Sequence, residues 1–293
     1  MLKKIIIFFS TIFFLTSCSQ EYDKKLKISA TTWIGYAPLF YAKEKKWLEQ
    51  IDVKLLNVSS LSENMYLYKA GNSDAFVGTQ YEYTQLNKEN QSLRPIMMFD
   101  RSYGGDIILA NRSLQEIQET TQTIDAYLEM DSINLTVLED FIHSYGLDYK
   151  QINYINKDQS QIATLEANNT LHPTLIVTYV PYNFTLVDNG FRKLTSTRDN
   201  LDLLVVDAMF TKDQTYHIHE KQFLELKKMV DRAIVALQKD PKEFFETIQP
   251  YMLNMDYDEF IHSLDDIIWI NKELTPELKE RLQEANFPIR DLI

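Results

Sequence analysis

Short apolar runs rich in β-branched residues alternate, from position 26 to position 99, with segments whose apolar residues recur at helical spacing. Helix start signals follow the runs: Pro38 opens one helix, and Ser60 with Glu63 has the spacing of a capping box. Gly71 marks the end of that second helix. This alternation predicts an α/β sheet with crossover helices. The predicted strands are 26–30, 53–58, 74–77 and 95–99, and the predicted helices are 38–49, 60–69 and 81–87.

A second unit with the same alternation follows. Its apolar positions at 135–145 recur at helical spacing until Gly146 ends that helix, and Asp158 begins another. An apolar run at 201–208 can carry the chain back to the first unit, and everything from about residue 222 onward has helical character. The predicted strands here are 124–129, 152–155 and 174–178, and the helix starts of the tail are Asp240-Pro241, Asp256 and Thr275-Pro276.

The pattern therefore predicts an α/β fold with two lobes, joined by a hinge of two chain crossings and followed by a helical C-terminal tail. We expect residues 25–104 together with 206–293 to form lobe 1, and residues 105–205 to form lobe 2. No internal repeat or low-complexity linker marks these boundaries, which rest on the pattern alone.

The N-terminus has the layout of an export signal. Two lysines precede short apolar stretches, and the stretches are too short for a spanning helix. The tetrad Leu15-Thr16-Ser17-Cys18 resembles a bacterial lipobox, which implies a signal peptide at 1–17, lipidation of Cys18 and a polar leash at 18–24. The alternative is an ordinary secretory peptide with an incidental cysteine. Because Cys18 is the only cysteine, the chain has no disulfide framework and no cysteine-based metal site.

The charge balance narrows the class of partner. Loss of Lys3 and Lys4 with the signal peptide leaves 28 basic against 42 acidic residues, a formal net charge of −14. Such an acidic surface argues against nucleic acid and against a polybasic contact with anionic lipid. We expect a monomer in the bacterial cell envelope that touches the membrane through its lipid only and faces the periplasm or the cell exterior.

Four stretches carry a family resemblance: "WIGYAPLFYAKEKKWLE" at 33–49, "YKAGNSDAFVGT" at 68–79, "FDRSYGGDIILAN" at 99–111 and "TYVPYNFTLVDNGF" at 178–191. With the lipobox, they resemble ABC-importer substrate-binding proteins of the nitrate, sulfonate, taurine and thiamine-pyrimidine group. The resemblance implies a type II periplasmic-binding-protein fold, a small organic ligand held between the lobes, and an ABC permease as partner. Lys46 departs from the family's usual glycine, which puts the turn there in doubt.

Residues at the carboxyl ends of the predicted strands are the candidate ligand-binding residues, because ligands of open α/β sheets bind there. In the loop after the first strand, a glycine allows close backbone approach and two aromatic rings offer stacking faces. The alternative is that these rings are core or rim packing. The candidates are Trp33, Gly35, Tyr36, Ser59 and Thr79 on lobe 1, with Ser132 and Tyr179 on lobe 2.

The adjacent Gly104 and Gly105 lie where the first crossing is expected, so we assign them to a closing hinge. Asp100 and Asp106 flank this pair, and both can be turn or capping residues. The functional alternative is that Asp106 accepts hydrogen bonds from a ligand N–H group or cation. A carboxylate facing the cleft would disfavour a fully anionic ligand such as nitrate or a sulfonate.

Metal binding and catalysis have weaker support in the sequence. His217 and His219, with Glu220 beside them, could begin a metal site, but the sequence shows no further ligands to complete it. We therefore expect neither a metal site nor a cofactor. No nucleophile elbow or phosphate loop occurs, and we expect no enzyme activity. One branch of the family synthesises a thiamine pyrimidine, but its cysteine-rich signature is missing here. A ligand-sensing lipoprotein that docks on a membrane receptor stays open, since sensing and transport need the same clamp.

Overall fold

The structure is a computed structural model that describes residues 25–89, 92–199, 203–270, 274–290 and 292–293. The predicted signal peptide, Cys18 and the leash at 18–24 lie outside the described residues. None of the helices in the described ranges is long and apolar enough to cross a membrane.

Strands and helices alternate through most of the chain. The strands are β1 (Leu26–Thr31), β2 (Val53–Val58), β3 (Ala75–Thr79), β4 (Leu93–Ser102), β5 (Asp106–Ala110), β6 (Ile124–Leu128), β7 (Ile152–Asn156), β8 (Thr174–Tyr179), β9 (Arg192–Ser196), β10 (Val206–Lys212) and β11 (Ile267–Trp269). The helices are α1 (Ala37–Glu44), α2 (Leu61–Lys69), α3 (Gln80–Lys88), α4 (Leu114–Glu119), α5 (Ile133–Ser144), α6 (Gln159–Ile162), α7 (Tyr182–Asp188), α8 (Asp213–Lys239), α9 (Pro241–Ile248), α10 (Tyr257–Ser263) and α11 (Pro276–Glu284).

The strands form two sheets. The first has the order β11-β4-β10-β3-β1-β2, in which β1 runs parallel to β2 and β3, while β10 runs antiparallel to β3 and β4. The second has the order β7-β6-β8-β5-β9, in which β6 is parallel to β7 and β8, and β5 is antiparallel to β8 and β9. We call the part built on the first sheet, with α1–α3 and α8–α11, lobe 1, and the part built on the second, with α4–α7, lobe 2.

The chain passes from lobe 1 to lobe 2 between β4 and β5, and returns between β9 and β10. Helices make up most of the chain after β10. The predicted fold class, two α/β lobes joined by two crossings with a helical C-terminal tail, is confirmed.

Two local predictions were wrong. The helix expected at 38–49 ends at Glu44, because the chain turns at Lys46, which has a φ of 59°. A lysine thus adopts the left-handed conformation that glycine adopts most easily. The tail is also not helical throughout: Trp269 lies on β11, since the apolar run Ile267–Trp269 pairs antiparallel with β4 at the edge of the first sheet.

The two crossings are joined by hydrogen bonds. The Gly104 amide donates to Thr197 Oγ1 at 2.8 Å, and the amides of Tyr103 and Gly105 donate to the Asp266 carbonyl at 2.8 and 3.1 Å. Arg198 Nε donates to the Tyr103 carbonyl at 2.9 Å. Gly104 has a φ of 127°, which L side chains rarely adopt. Each crossing is therefore braced by the other and by the chain just before β11, and a hinge role for Gly104 and Gly105 stays a prediction.

Candidate functional site

The candidate site is a cavity between the two lobes, at the strand ends. Lobe 1 contributes residues from the ends of β1 and β3, the loop after β1, the start of α2, and β10 with the residue before it. Lobe 2 contributes the start of β5, the start of α5 and the end of β8. The lining residues are Thr31, Trp33, Tyr36, Leu61, Thr79, Asp106, Ile133, Tyr179, Val205 and Asp207.

The cavity is small because the lobes are closed on each other. The cavity has a volume of about 20 Å³, and a single water needs roughly 10–15 Å³. A ligand of even a few heavy atoms therefore holds the lobes slightly further apart than they lie here.

Five of the predicted ligand-binding residues line this cavity: Trp33, Tyr36, Thr79, Asp106 and Tyr179. The Trp33 and Tyr179 rings meet edge to face across the cleft, with centroids 6.0 Å apart. All five side chains are buried. Chain segments that are far apart in sequence thus meet at one place, and their role in binding a ligand stays a prediction.

Three other predicted residues, Gly35, Ser59 and Ser132, are not among the lining residues. The exposed Ser59 donates from its amide and hydroxyl to Glu63, at 2.8 and 2.6 Å. The Ser132 hydroxyl caps α5 and donates to the Glu129 carbonyl at 2.9 Å. These hydroxyls serve local structure, and nothing in their contacts points to a ligand.

The Thr79 hydroxyl also makes local hydrogen bonds, although Thr79 lines the cavity. Its hydroxyl accepts from the Tyr81 amide at 3.1 Å and donates to Glu82 Oε2 at 2.6 Å, as part of the capping box of α3. Both functions of the hydroxyl are therefore occupied, which leaves one lone pair for any further donor.

Glycine at position 35 allows the aromatic loop to pack on a buried carboxyl. A Cβ atom there would lie 1.9 Å from Asp100 Oδ2 and 2.5 Å from Trp33 Nε1. Trp33 Nε1 donates to the Asp100 carboxyl, at 3.2 and 3.4 Å from its two oxygens. The Tyr36 hydroxyl donates in turn to Asp207 Oδ1. The loop after β1 thus holds two carboxyls in place while its rings face the cavity.

Three lining residues carry a buried polar atom without a hydrogen-bond partner among the described residues. These atoms are Thr31 Oγ1, Asp106 Oδ2 and the Tyr179 hydroxyl oxygen. Nearly all buried polar groups in proteins have a partner, and an unmade bond costs about 1–3 kcal/mol. The cavity therefore offers three unused hydrogen-bonding positions on opposite walls.

Five carboxyl groups are buried around the cavity, whereas no lysine or arginine in the described ranges is buried. Burial raises the pKa of Asp106 to about 6 and that of Glu129 to about 8. Burial, followed by the repulsion of Asp100, raises the pKa of Asp207. Burial likewise raises the pKa values of Asp100 and Glu82, against the hydrogen bonds that each carboxyl accepts. The site thus concentrates acidic groups, and the described residues place no buried basic side chain beside them.

Two of these acids, Glu82 and Glu129, join the lobes through helix N-termini. Glu82 of lobe 1 accepts from the Ile133 amide at the first position of α5, at 3.1 Å. Glu129 of lobe 2 accepts from the Leu61 amide at the first position of α2, also at 3.1 Å. A carboxylate near a helix N-terminus is favoured by the unpaired amides and the helix dipole. Each lobe therefore supplies one carboxyl that binds a helix of the other, and we call these contacts the glutamate latch.

Sequence reasoning missed the latch and several lining residues. Glu82 had a visible capping-box position three residues after Thr79, but nothing in the sequence indicated its second contact in lobe 2. Asp207 lies within an apolar run, where an acidic residue was a usable signal. The other lining residues that were not predicted are Thr31, Leu61, Ile133 and Val205.

No three His, Cys, Asp or Glu side chains in the part of the chain that the structure describes are grouped so that they could hold a metal ion. His219, considered with His217 for a metal, has its Nδ1 atom 2.6 Å from Gln222 Oε1 on α8.

Gly105 makes room for Trp33, which gives a double-mutant test. A Cβ atom at Gly105 would lie 2.3 Å from Trp33 Cη2. We expect Gly105→Ala to lower the free energy of unfolding by about 1–3 kcal/mol, as overpacking does. In a Trp33→Phe background, which lacks the Cη2 atom, the same substitution should cost much less. Urea unfolding of the four proteins measures the coupling, and an equal cost in both backgrounds would contradict the packing argument.

The buried acids predict an unusual pH dependence of stability. A carboxyl with a raised folded-state pKa binds protons more tightly when folded, so its stabilising effect is present at low pH and is lost as the pH rises. The window runs from 3.8 to about 6 for Asp106 and from 4.5 to about 8 for Glu129. The Asp106 effect is on the order of 3 kcal/mol. Without ligand, urea unfolding should therefore show stability falling as the pH rises through these windows.

Asp106→Asn should flatten the more acidic part of this profile and make the protein more stable than the wild type at neutral pH. Asp188→Asn, the same change at an exposed position on α7, should leave the profile unchanged. Stability that increases through both windows in the wild type would show that these carboxyls are not buried as described.

Comparison with known proteins identifies the fold. No protein-family model matches the sequence, and no curated protein matches it. The ligand-binding component of an ABC-type import system from Staphylococcus aureus, solved with zinc bound, has a TM-score of 0.72 at 12% identity, over 92% of this chain and 95% of that one. The alkanesulfonate-binding protein SsuA from Xanthomonas axonopodis pv. citri, bound to MOPS, has a TM-score of 0.69 at 11% identity, over 89% and 90%.

A third similar structure is the CA3427 gene product of Candida albicans, described as exhibiting the generic periplasmic binding protein fold. Its TM-score is 0.67 at 10% identity, over 89% of this chain and 90% of that one. The structural neighbours include substrate-binding proteins of ABC-type importers, as the sequence resemblance implies, and the chain has the periplasmic-binding-protein fold.

Proposed function

We propose that the chain is an extracytoplasmic solute-binding protein that captures a small organic ligand between its lobes and delivers it to an ABC permease. The observation that carries the proposal is the closed cavity, lined from both lobes and holding three unpartnered buried polar atoms. Open α/β sheets bind ligands at this edge, outside the strand ends. The fold that the chain shares with importer components supports the same function.

Capture in this geometry depends on closure. The glutamate latch and the Trp33–Tyr179 contact form only when the lobes meet. The Glu129 carboxyl is buried in this closed arrangement, and burial disfavours its charged form and raises its pKa. A ligand that satisfies the unpartnered atoms on both walls adds the free energy that favours the closed state, which shifts the population towards it. The permease then distinguishes the closed, loaded form from the open one.

Binding fits the cavity better than catalysis does. Among the described residues, its lining has no histidine, cysteine or serine, and the one threonine next to a carboxyl, Thr79, is engaged in a helix cap. A nucleophile needs an adjacent base and a free reacting atom. Synthesis of a thiamine pyrimidine, the enzymatic alternative, would also require the cysteine-rich signature that the sequence lacks.

The cellular setting is part of the proposal. We place the protein in the bacterial cell envelope, with cleavage after Ser17 and a lipid on Cys18 that holds the mature chain at a membrane. Residues 18–24 would then act as the leash between the lipid and lobe 1. The body would face the periplasm or the cell exterior as a monomer, and would meet the membrane through the lipid alone.

Ligand sensing is the second candidate function, favoured by the same clamp. A sensor would dock on a membrane receptor in place of a permease. Deleting the gene separates the two: loss of solute uptake supports transport, whereas unchanged uptake with a lost transcriptional response supports sensing.

The capture itself can be tested by a thermal-shift screen over pyrimidines, amino-sulfonates, small anions and polyamines. A compound at a hundred times its Kd should stabilise the protein by about 2.7 kcal/mol. Its binding should change tryptophan fluorescence, and this change should be lost in Trp33→Phe and kept in Trp47→Phe, because Trp33 lines the cavity and Trp47 does not. Binding without any change at Trp33, or no hit from any class, would count against capture in this cavity.

The anchor predicts a processing defect. Replacing Cys18 with alanine removes the thiol that would receive the lipid, so Cys18→Ala should accumulate as an unprocessed precursor without label from radioactive palmitate. Ser17→Ala keeps a small residue at the cleavage site and serves as the control, which should be labelled like the wild type. Palmitate label in Cys18→Ala would disprove the anchor.

A further inference from the structure

We propose that the cavity takes a small organic cation that carries N–H donors, of the protonated amine or amidine class, and that Asp106 is the carboxylate that receives it. The inference rests on the proposed capture of a ligand between the lobes, and it assigns the chemical class of that ligand. The observation behind it is the combination of an unpartnered buried carboxylate oxygen with an acidic lining in which no described residue is basic.

The ionisable side chains of the cavity walls indicate the charge of the ligand. Two of the ten lining residues, Asp106 and Asp207, are acidic, and none of the ten is lysine, arginine or histidine. Asp100 and Glu82 are buried close enough to influence the Asp106 carboxyl. Arg198, at the neighbouring crossing, is engaged with Asp266 at 3.2 Å. An anion in this cavity would meet acidic groups and no basic group of the lining, in a low-dielectric space where repulsion from an ionised carboxylate is strongest.

The unpartnered hydrogen-bonding atoms of the cavity indicate the functional group of the ligand. Asp100 already accepts from Trp33, and Asp207 accepts from Tyr36, so both carboxyls have donors within the protein. Asp106 Oδ2 has none, and an ionised carboxylate can only accept. A protonated amine supplies three donors from one atom, and an amidine supplies a planar pair. The hydroxyls of Thr31 and Tyr179 can accept the remaining donors, which would satisfy all three unpartnered atoms at once.

The rest of the lining suits an apolar body behind the charged group. Aromatic rings of Trp33, Tyr36 and Tyr179 surround the space, and a cation within about 6 Å of such a ring is attracted to its face. Leu61, Ile133 and Val205 supply aliphatic surface. The ligand is therefore a compact organic cation with a small aliphatic or planar body.

A metal ion fits these walls less well. Calcium takes six to eight oxygen ligands and magnesium an octahedral set, whereas Asp106 Oδ2 is the single carboxylate oxygen at this cavity that is both buried and unpartnered among the described residues. Zinc needs about four ligands, and the described residues offer no such group.

The test compares probes that share a frame and differ in charge. Isobutylamine, isobutyl alcohol and isobutyrate form one set, and acetamidine with acetamide forms a planar pair. Tetramethylammonium carries the charge without N–H donors, and zinc chloride represents a metal. Calorimetry on the full chain in detergent measures each Kd. We expect isobutylamine or acetamidine to bind at least roughly tenfold more tightly than its neutral counterpart, isobutyrate and tetramethylammonium.

Asp106→Asn should weaken binding of the cationic probe at least roughly tenfold, whereas the exposed control Asp188→Asn should leave its Kd unchanged. The thermal unfolding of both variants shows that they are folded. Tighter binding of isobutyrate than of isobutylamine, cation binding that Asp106→Asn does not alter, zinc binding that Asp106→Asn abolishes, or no binding of either cation would each overturn the assignment. If a neutral or anionic compound from the wider screen binds instead, capture stands and only the ligand class fails.

Discussion

Burial of five carboxyl groups at the junction of the lobes is the constraint on which the closed structure depends. Each of Glu82, Asp100, Asp106, Glu129 and Asp207 is at most 4% exposed, and no buried lysine or arginine of the described ranges compensates them. The protein satisfies most of their oxygens with aromatic donors and backbone amides instead of with cations. Because these hydrogen bonds stabilise a carboxylate less completely than water does, burial keeps the pKa values of the five carboxyls high.

Each glutamate of the latch accepts hydrogen bonds both within its own lobe and from a helix of the other lobe. Glu82 caps its own helix through Oε2 and reaches the start of α5 through Oε1, while Glu129 accepts from the amides of both Leu61 and Gln159. If the lobes separated, the Ile133 and Leu61 amides would lose their carboxyl acceptors and would bond to water instead. The same carboxyls therefore serve both secondary structure and inter-lobe contact in the closed structure.

Glycines and aromatic rings fix how closely the chain can pack around this charge. Gly35 lets Asp100 approach the loop after β1, and Gly105 lets the Trp33 ring lie against the first crossing. Trp33 then donates to Asp100 and contacts Tyr179 of lobe 2. One side chain thus contacts a buried acid, the first crossing and the opposite lobe, so a wall of the cavity and the packing at the crossing share Trp33.

The sequence by itself determined the α/β alternation, the two-lobed layout and five lining residues, Trp33, Tyr36, Thr79, Asp106 and Tyr179, because periodicity and strand ends are local properties of the chain. It also indicated the helix starts at Asp240, Asp256 and Thr275, whose side chains accept the expected amide hydrogen bonds. Only the tertiary structure decided which carboxyls meet, since Asp100 and Asp207 become neighbours through the antiparallel pairing of β4 with β10. Ser59 and Ser132 do not line the cavity, because their hydroxyls bond to Glu63 and to the Glu129 carbonyl, and a ligand-binding role for them stays a prediction.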